Sequence, residues 1–312
     1  MQECMATDKP LVTVLTLSYN SPSLETAVDS VLAQDYDKIQ LIIIDDHSEK
    51  FDEAALRKYI SERNKGNITE LVIVRNQKNM GITASSNEAL QRAAGKYIVN
   101  LAGDDAFYDS RVISDLSYEF ERTGAMIITG YRRVYDSRLE EPMEVQPEQK
   151  YAQLIRSLPP EELFCAMESC NWVFGCCTAR SAECVRKYGF YDEQYRFLDD
   201  YSMNMKLLRN GVRFHFMDRV LIKYRSGGIS SLSKIDDNYF QESDRLFQNE
   251  IEPYSADPGM ALKKYRHWKT DTRDRKNYEY RLQNSGFFSK PLIIAHYAFV
   301  RVFRHAARLF GR

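Results

Sequence analysis

Four apolar runs punctuate the first hundred residues, each followed by polar or helically spaced sequence. Residues 11–17 (LVTVLTL) are a β-branched apolar run and read as a buried strand. Tyr19-Asn20-Ser21-Pro22 breaks that run, and residues 24–33 then set Leu24, Ala27, Val28, Val31 and Leu32 on one helical face. Residues 39–44 (IQLIII) predict a second strand that ends at Asp45-Asp46. An amphipathic helix over 51–63, a strand over 71–74 and a helix over 83–94, stopped by Gly95, come next. A fourth strand over 97–101 ends in Ala102-Gly103-Asp104-Asp105. Apolar strands alternating with helices imply βαβ units and a parallel sheet covered on both faces. Ligands of such sheets bind beyond the carboxyl ends of the strands. Tyr19, Asp45-Asp46 and Asp104-Asp105 are therefore expected on one rim.

The pattern continues with a helix over 109–122 and a strand over 125–129. Residues 136–150 are polar with two prolines and predict a loop or flap. The apolar, Cys-rich stretch 167–178 predicts a strand. Helices are expected over 182–188 and 199–209, ended by Gly189 and Gly211, with short strands over 212–217 and 220–224. From Tyr239 onward the chain reads as helical, charged and aromatic. A length of 312 residues suits two domains or one large α/β domain. The expected division is an α/β body over 1–235, in halves 10–108 and 109–235, and a helical extension over 236–312.

Charge sharpens that division. The total is −1, yet residues 263–312 hold 13 Lys/Arg and 3 Asp/Glu, a local +10. The remainder carries −11, and nothing acidic follows Glu279. A near-neutral total argues against nucleic acid as a partner. Residues 289–312 mix Ile293, Tyr297 and Val300 with Arg301, Arg304 and Arg308. Such a helix reads as a membrane-surface binder, or as an aromatic helix packed on its own domain or a second subunit. No run reaches the roughly 18 apolar residues of a spanning helix, and MQECMATDKP is unlike a leader. A cytoplasmic location is expected, with the inner face of the membrane as a possible station. Five of six cysteines fall between Cys165 and Cys184, but the adjacent Cys176-Cys177 suits zinc poorly.

Three acidic pairs are the candidate chemistry. Asp104-Asp105 supplies hard oxygen donors suited to Mg²⁺ or Mn²⁺, or else caps a helix near Ser110. Asp45-Asp46 could cap the next helix or accept from a nucleobase N–H. Tyr19 could stack on a base or simply pack. Asp199-Asp200 opens a helix, as a favourable first-turn pair or as a general base. His47 and His215 are further candidate ligands or bases.

Three blocks carry a resemblance. VTVLTLSYNSPSLETAVDSVLAQDYDKIQLIIIDDHS, KNMGITASSNEALQRAAGKYIVNLAGDD and GFYDEQYRFLDDYSMNMKLLRNG occur in order over residues 10–230. Together they resemble the family 2 glycosyltransferases. The resemblance implies a GT-A fold, an α/β Rossmann-like mostly parallel sheet flanked by helices, followed here by a C-terminal helical extension. It implies inverting sugar transfer from a nucleotide-diphosphate sugar, usually UDP-linked, to a saccharide or lipid-linked acceptor in bacterial polysaccharide or glycolipid synthesis. Residue by residue, Tyr19 would stack on the base and Asp46 would accept from it. Leu17, Asn79, Asn87 and Asp104 would complete the donor site. Asp105 would ligate Mn²⁺ or Mg²⁺, and Asp200 would be the catalytic base. Two positions depart from the pattern. Ser85-Ser86-Asn87 lacks an Arg that many members carry, and Tyr224-Arg225-Ser226-Gly227-Gly228 lacks a His. Arg225 or His215 could compensate. The alternatives are a non-catalytic nucleotide-sugar binder and a nucleotidyltransferase, the latter disfavoured because SYNSPS has no glycine.

Overall fold

In the computed structural model, residues 9–228, 235–284, 290–295 and 297–299 are described. The first half alternates as its apolar pattern requires. It runs β1 (Val12–Ser18), α1 (Leu24–Leu32), β2 (Ile39–Asp45), α2 (Glu53–Arg63), β3 (Ile68–Arg75), α3 (Ile82–Arg92) and β4 (Tyr97–Ala102). β5 (Ala106–Phe107) and α4 (Val112–Thr123) lead into β6 (Ile127–Tyr135) and β7 (Pro142–Gln146). Then come α5 (Gln149–Ser157), α6 (Pro160–Met167), β8 (Thr178–Ser181), α7 (Ala182–Tyr188), α8 (Asp199–Arg209) and β9 (Phe214–Arg225). α9 (Asp237–Leu246) and α10 (Pro258–Asn284) follow.

All strands join one sheet in the order β3-β2-β1-β4-β8-β6-β9-β5, with β7 paired to β6. β3, β2, β1 and β4 are mutually parallel. β8 runs antiparallel between β4 and β6, and β6 is again parallel to β9. The longest ladders are therefore the parallel ones. Alternate residues of each strand face opposite cores. Ile42 and Ile44 pack with α3 and α8, while Leu41 and Ile43 pack with α1, α2 and α4. Helices on both faces explain why residues 39–45 are buried throughout.

Three local expectations change. The stretch 167–178 is not one strand. α6 ends at Met167, a turn follows in which Asn171 Oδ1 accepts from Val173 N at 3.1 Å, and β8 begins only at Thr178. Apolarity there reports burial, as Met167, Val173 and Cys177 show, rather than extended backbone. The polar stretch 136–150 contains β7, a strand pairing only with β6 and largely exposed. The two short strands expected over 212–224 are one long strand, β9, whose pairing shifts register beside Tyr131.

The C-terminal helices are built into the core. Leu246, Phe247, Ile251, Ala261 and Tyr265 belong to the cluster that holds Met203, Met205, Leu207 and Leu208 of α8. Buried Glu168 receives Ser255 Oγ at 2.6 Å and Lys264 Nζ at 3.4 Å. Of the helix expected over 289–312, the described part is helical, and Tyr297 stacks on Tyr278 at 4.0 Å. Val300, Arg301, Arg304 and Arg308 lie outside the described residues. No helix among the described residues is long and apolar enough to cross a membrane.

Candidate active site

The rim at the carboxyl ends of β1, β2 and β4 is laced together by short contacts. Asp46 N donates to Ser18 O at 2.8 Å, and Gly103 N to Leu17 O at 2.8 Å. Leu17 thus contributes its carbonyl to the junction of β1 and β4, with its side chain packed against the core. Tyr19, the next residue but one, is 53% exposed. Asn20 ties the two turns: its N donates to Ser48 Oγ at 2.7 Å, and its Oδ1 accepts from Glu49 N at 2.9 Å.

The capping alternatives fail for the first two acidic pairs. α2 is capped by Asp52, and α4 begins at Val112 with no side-chain cap. Asp45 is fully buried and accepts from Ser48 N at 3.0 Å. Asp46 organises the loop before α3. Its Oδ1 accepts from Asn76 Nδ2 at 2.8 Å and Met80 N at 2.7 Å, and its Oδ2 from Gly81 N at 2.8 Å. Gly81 has φ of +87°, a conformation side-chain-bearing residues avoid. Asn79 lies exposed within this loop.

Asp105 is 1% exposed, and its Oδ1 accepts from Arg225 N at 2.8 Å. Its Oδ2 is buried with no hydrogen-bond partner. Burial holds its carboxyl well above the usual aspartate range, and the neighbouring Cys176 and Asp104 push the same way. Arg225 N–H and the Arg132 charge oppose that rise. An orphaned oxygen on a buried carboxylate beside half-buried Asp104 is a site short of positive charge, and hard oxygens of this kind suit Mg²⁺ or Mn²⁺. Arg225 also sends Nε to Asp104 O at 2.9 Å, so it braces the pair.

Asp199 and Asp200 do open a helix, α8, and both lie in its first turn. Asp200 Oδ2 accepts from Gly175 N at 2.8 Å. A Cβ on Gly175 would stand 3.1 Å from Asp200 Cβ, so glycine permits this approach. Burial raises Asp200, against the Gly175 and Tyr201 backbone bonds, Arg132 and Asn171. Burial, then the adjacent Asp200 charge, pushes Asp199 up to about 7. A narrow recess beside Asp200 is lined by Gly175, Arg180, Tyr191, Met203 and Asn204, among others. Buried Arg180 donates to Tyr191 Oη and lies over the Tyr191 ring at 4.3 Å.

One side chain links these two regions. The Arg132 guanidinium, from β6, lies over Phe174 at 3.8 Å and over Tyr224 at 4.0 Å, and the chain neighbours of those rings, Gly175 and Arg225, give their backbone N–H groups to Asp200 and Asp105. The two carboxylates therefore flank one arginine cage. Sequence reasoning passed over Arg132, although a basic doublet inside the apolar strand IITGYRRVY was a visible signal.

Asn87 is engaged within the fold. Its Nδ2 donates to Tyr191 O at 3.0 Å and Glu193 Oε1 at 3.1 Å, and its Oδ1 accepts from Tyr191 N at 3.0 Å. It fastens the Gly189–Asp192 turn to α3. His215 cannot stand in for a missing ligand near Asp105. It sits at the start of β9, bonded to Glu119 at 3.0 Å, while Arg225 at the other end of β9 meets Asp105. His47 is exposed, with Nδ1 3.2 Å from Asn76 O. No cluster of three or more His, Cys, Asp or Glu suited to a metal occurs among the described residues.

The backbone before Asp199 is held from the C-terminal extension. Glu242 of α9, 5% exposed, accepts from the N–H groups of Arg196, Phe197 and Leu198 at 2.9, 2.6 and 2.7 Å. It fixes the approach to α8, whose N-cap residue Leu198 makes no side-chain cap of its own.

Comparison with known proteins agrees with this architecture. The family model described as "Glycosyl transferase family 2" matches residues 13–186, which ends before Asp200. TuaG of Bacillus subtilis, named as a teichuronic acid biosynthesis glycosyltransferase, is 29% identical over 220 residues, covering 70% of this chain and 79% of TuaG. A glycosyltransferase of Methanocaldococcus jannaschii, MJ1057, is 26% identical over 222 residues, covering 70% and 71%. A third relative, RT0329 of Rickettsia typhi, is 25% identical, and the match spans 65% of it. Among solved structures, S. aureus TarS with UDP-GlcNAc superposes with a TM-score of 0.58 at 15% identity, covering 91% of this chain and 79% of that one. The mannosyltransferase PcManGT of Pyrobaculum calidifontis, with GDP-Man and Mn²⁺, gives 0.61 at 16% identity, covering 94% and 81%. At such identities the likeness is one of fold. The family match over more than half of the chain decides against the nucleotidyltransferase and the non-catalytic binder: the protein belongs to glycosyl transferase family 2 and is a glycosyltransferase.

Proposed function

We propose that the protein transfers a sugar with inversion from a nucleotide-diphosphate sugar, of the UDP class, to a hydroxyl of a saccharide or lipid-linked acceptor. The observation that carries this reading is the cage around Arg132, whose two rings adjoin the residues bonded to Asp105 and Asp200. Inversion needs the acceptor hydroxyl deprotonated on one face of the sugar while the diphosphate leaves from the other. Asp200, oriented by Gly175 N–H, is the base. Its raised proton affinity suits a carboxylate that must take a proton from a hydroxyl near neutral pH. Asp105 and Asp104 would hold Mn²⁺ or Mg²⁺, which when bound neutralises charge on the leaving diphosphate. Exposed Tyr19 offers its ring to the base, and Asp46 keeps acceptor capacity on a carboxylate already fixed by three N–H groups. Leu17 O and Asn79 frame the same end. Holding donor and acceptor in one cleft removes much of the entropic barrier.

The role in cell-surface polysaccharide synthesis is proposed by likeness to TuaG, a teichuronic acid biosynthesis glycosyltransferase by name. The basic extension is assigned to an anionic membrane surface at the cytoplasmic face. Leu292, Ile294 and Phe299 are 73%, 49% and 66% exposed in a stretch that carries no acid after Glu279. A donor screen reading released UDP or GDP, with and without Mn²⁺, tests the reading, and NMR of the product anomer tests inversion. A turnover product that keeps the donor's anomeric configuration would overturn the inverting mechanism.

A further inference from the structure

Arg132 has an unusual setting for a charged side chain. Its guanidinium lies between two aromatic rings, with Phe174 at 3.8 Å on one side and Tyr224 at 4.0 Å on the other. Gln146, the last residue of β7, accepts from its Nε at 3.0 Å and its Nη2 at 2.7 Å. Nη1 faces only the Cys176 sulfur, at 3.6 Å. Among the described residues no carboxylate forms an ion pair with it, whereas Arg75 meets Asp45 and Arg225 meets the Asp104 carbonyl.

A largely buried cation without a contacting anion is unfavourable unless something completes it. The two rings and Gln146 hold the fork in one orientation, so little rotamer entropy is lost when an anion arrives. Three of its five N–H groups are engaged, one of them only with a sulfur. The place is equally telling. Phe174 precedes Gly175, whose N–H holds Asp200, and Tyr224 precedes Arg225, whose N–H holds Asp105. If the nucleotide-sugar reading holds, the leaving phosphate and the transferred sugar occupy the space between those carboxylates.

We propose that Arg132 is a donor-binding residue that takes an anionic oxygen of the nucleotide sugar through its free guanidinium edge. The oxygen belongs either to the diphosphate or to a carboxylate on the sugar. Gln146 is the positioning residue that aims the fork, which gives the exposed β7 hairpin a part in donor recognition.

The inference rests on the donor reading, and calorimetry separates the two. Uridine, UDP, UDP-glucose and UDP-glucuronate are titrated into wild type, R132M, R132K and Q146A, with Mn²⁺ present and guanosine and GDP run in parallel. R132M is expected to lose tenfold or more in affinity for UDP while binding uridine as wild type does. R132K should recover part of that loss, since it restores the charge without the fork. A loss confined to UDP-glucuronate supports the proposal with the sugar carboxylate as the anion. Q146A, which leaves Arg132 in place, should weaken the same ligand several-fold, and it keeps the test alive if R132M fails to fold. Equal affinities for all ligands in every variant would overturn the proposal, as would a loss for uridine as large as that for UDP. Wild type that binds no nucleoside diphosphate at all would sink the donor reading itself.

Discussion

Glu242→Gln isolates what the C-terminal extension does for the catalytic helix. The Glu242 carboxylate gathers three backbone N–H groups, two on Oε1 and one on Oε2. Glutamine keeps one oxygen, which can retain Phe197 and Leu198. Its amide nitrogen must then face Arg196 N–H, donor against donor. One charge-assisted bond is lost, two are weakened, and a buried donor is left unpaired. At about 1.5–3 kcal/mol for a bond to a charged group, the substitution should destabilise by about 2–4 kcal/mol. For a chain of this size that lowers Tm by about 3–6 °C. Activity should suffer separately, because the segment that loosens leads straight into Asp199 and Asp200. A misplacement near 1 Å can cost about 100-fold, so a fall in kcat of tenfold or more is expected, with a smaller change in KM for the donor. Urea unfolding, thermal melts and steady-state kinetics measure both effects. Asp237→Asn, an exposed acid on the same helix, is the control. If E242Q matches D237N in stability to within about 0.5 kcal/mol and in kcat, the bracing argument is wrong.

Asp200→Asn should abolish sugar transfer while UDP affinity stays within about twofold, a combination read by product formation and calorimetry. The folded state keeps a proton on Asp199 up to about pH 7, against 3.8 ordinarily. It therefore binds more protons than the unfolded chain across that window. The stability so gained is complete below the lower value and is lost as pH rises to the upper one. Asp199→Asn should flatten that slope in urea titrations between pH 4 and pH 7, and an unchanged slope counts against the assignment. Gly175→Ala places a Cβ 3.1 Å from Asp200 Cβ and should lower kcat at least fivefold with little change in Tm; wild-type kcat would show that the close approach is immaterial. Vesicles rich in anionic lipid should sediment the full chain in low salt, with neutral vesicles leaving it in solution. Equal binding to both, or to neither, contradicts the membrane assignment.

Most of the first hundred residues were legible because burial on both faces of a parallel sheet leaves a plain signature. Residues 39–44 could only be a buried strand between helices. The rule that ligands collect at strand carboxyl ends then located Tyr19, Asp46 and Asp105 without any contact being known. Legibility faded where pairing turns antiparallel. The 167–178 stretch is apolar because Met167, Val173 and Cys177 enter the two cores, and nothing in its composition separates a buried turn from a strand. Asn87 reads as a ligand because its neighbours fit a motif, and its amide serves the Tyr191 backbone. The partners of Arg132 come from residues 146, 174, 176 and 224. No local pattern foretells a cage assembled from three distant segments. Glu242 is similar: its N–H partners lie more than forty positions earlier in the chain.

We read Asp105 and its surroundings as a cation-assisted diphosphate site beside the candidate base Asp200. Calorimetric titration of UDP into wild type and Asp105→Asn, each with Mn²⁺ and with chelator, tests it most directly. Wild type should bind UDP at least tenfold more tightly with Mn²⁺, and D105N should lose that dependence while keeping the weaker, metal-free affinity. A D105N protein that still gains tenfold from Mn²⁺, or wild type indifferent to the metal, would contradict the account.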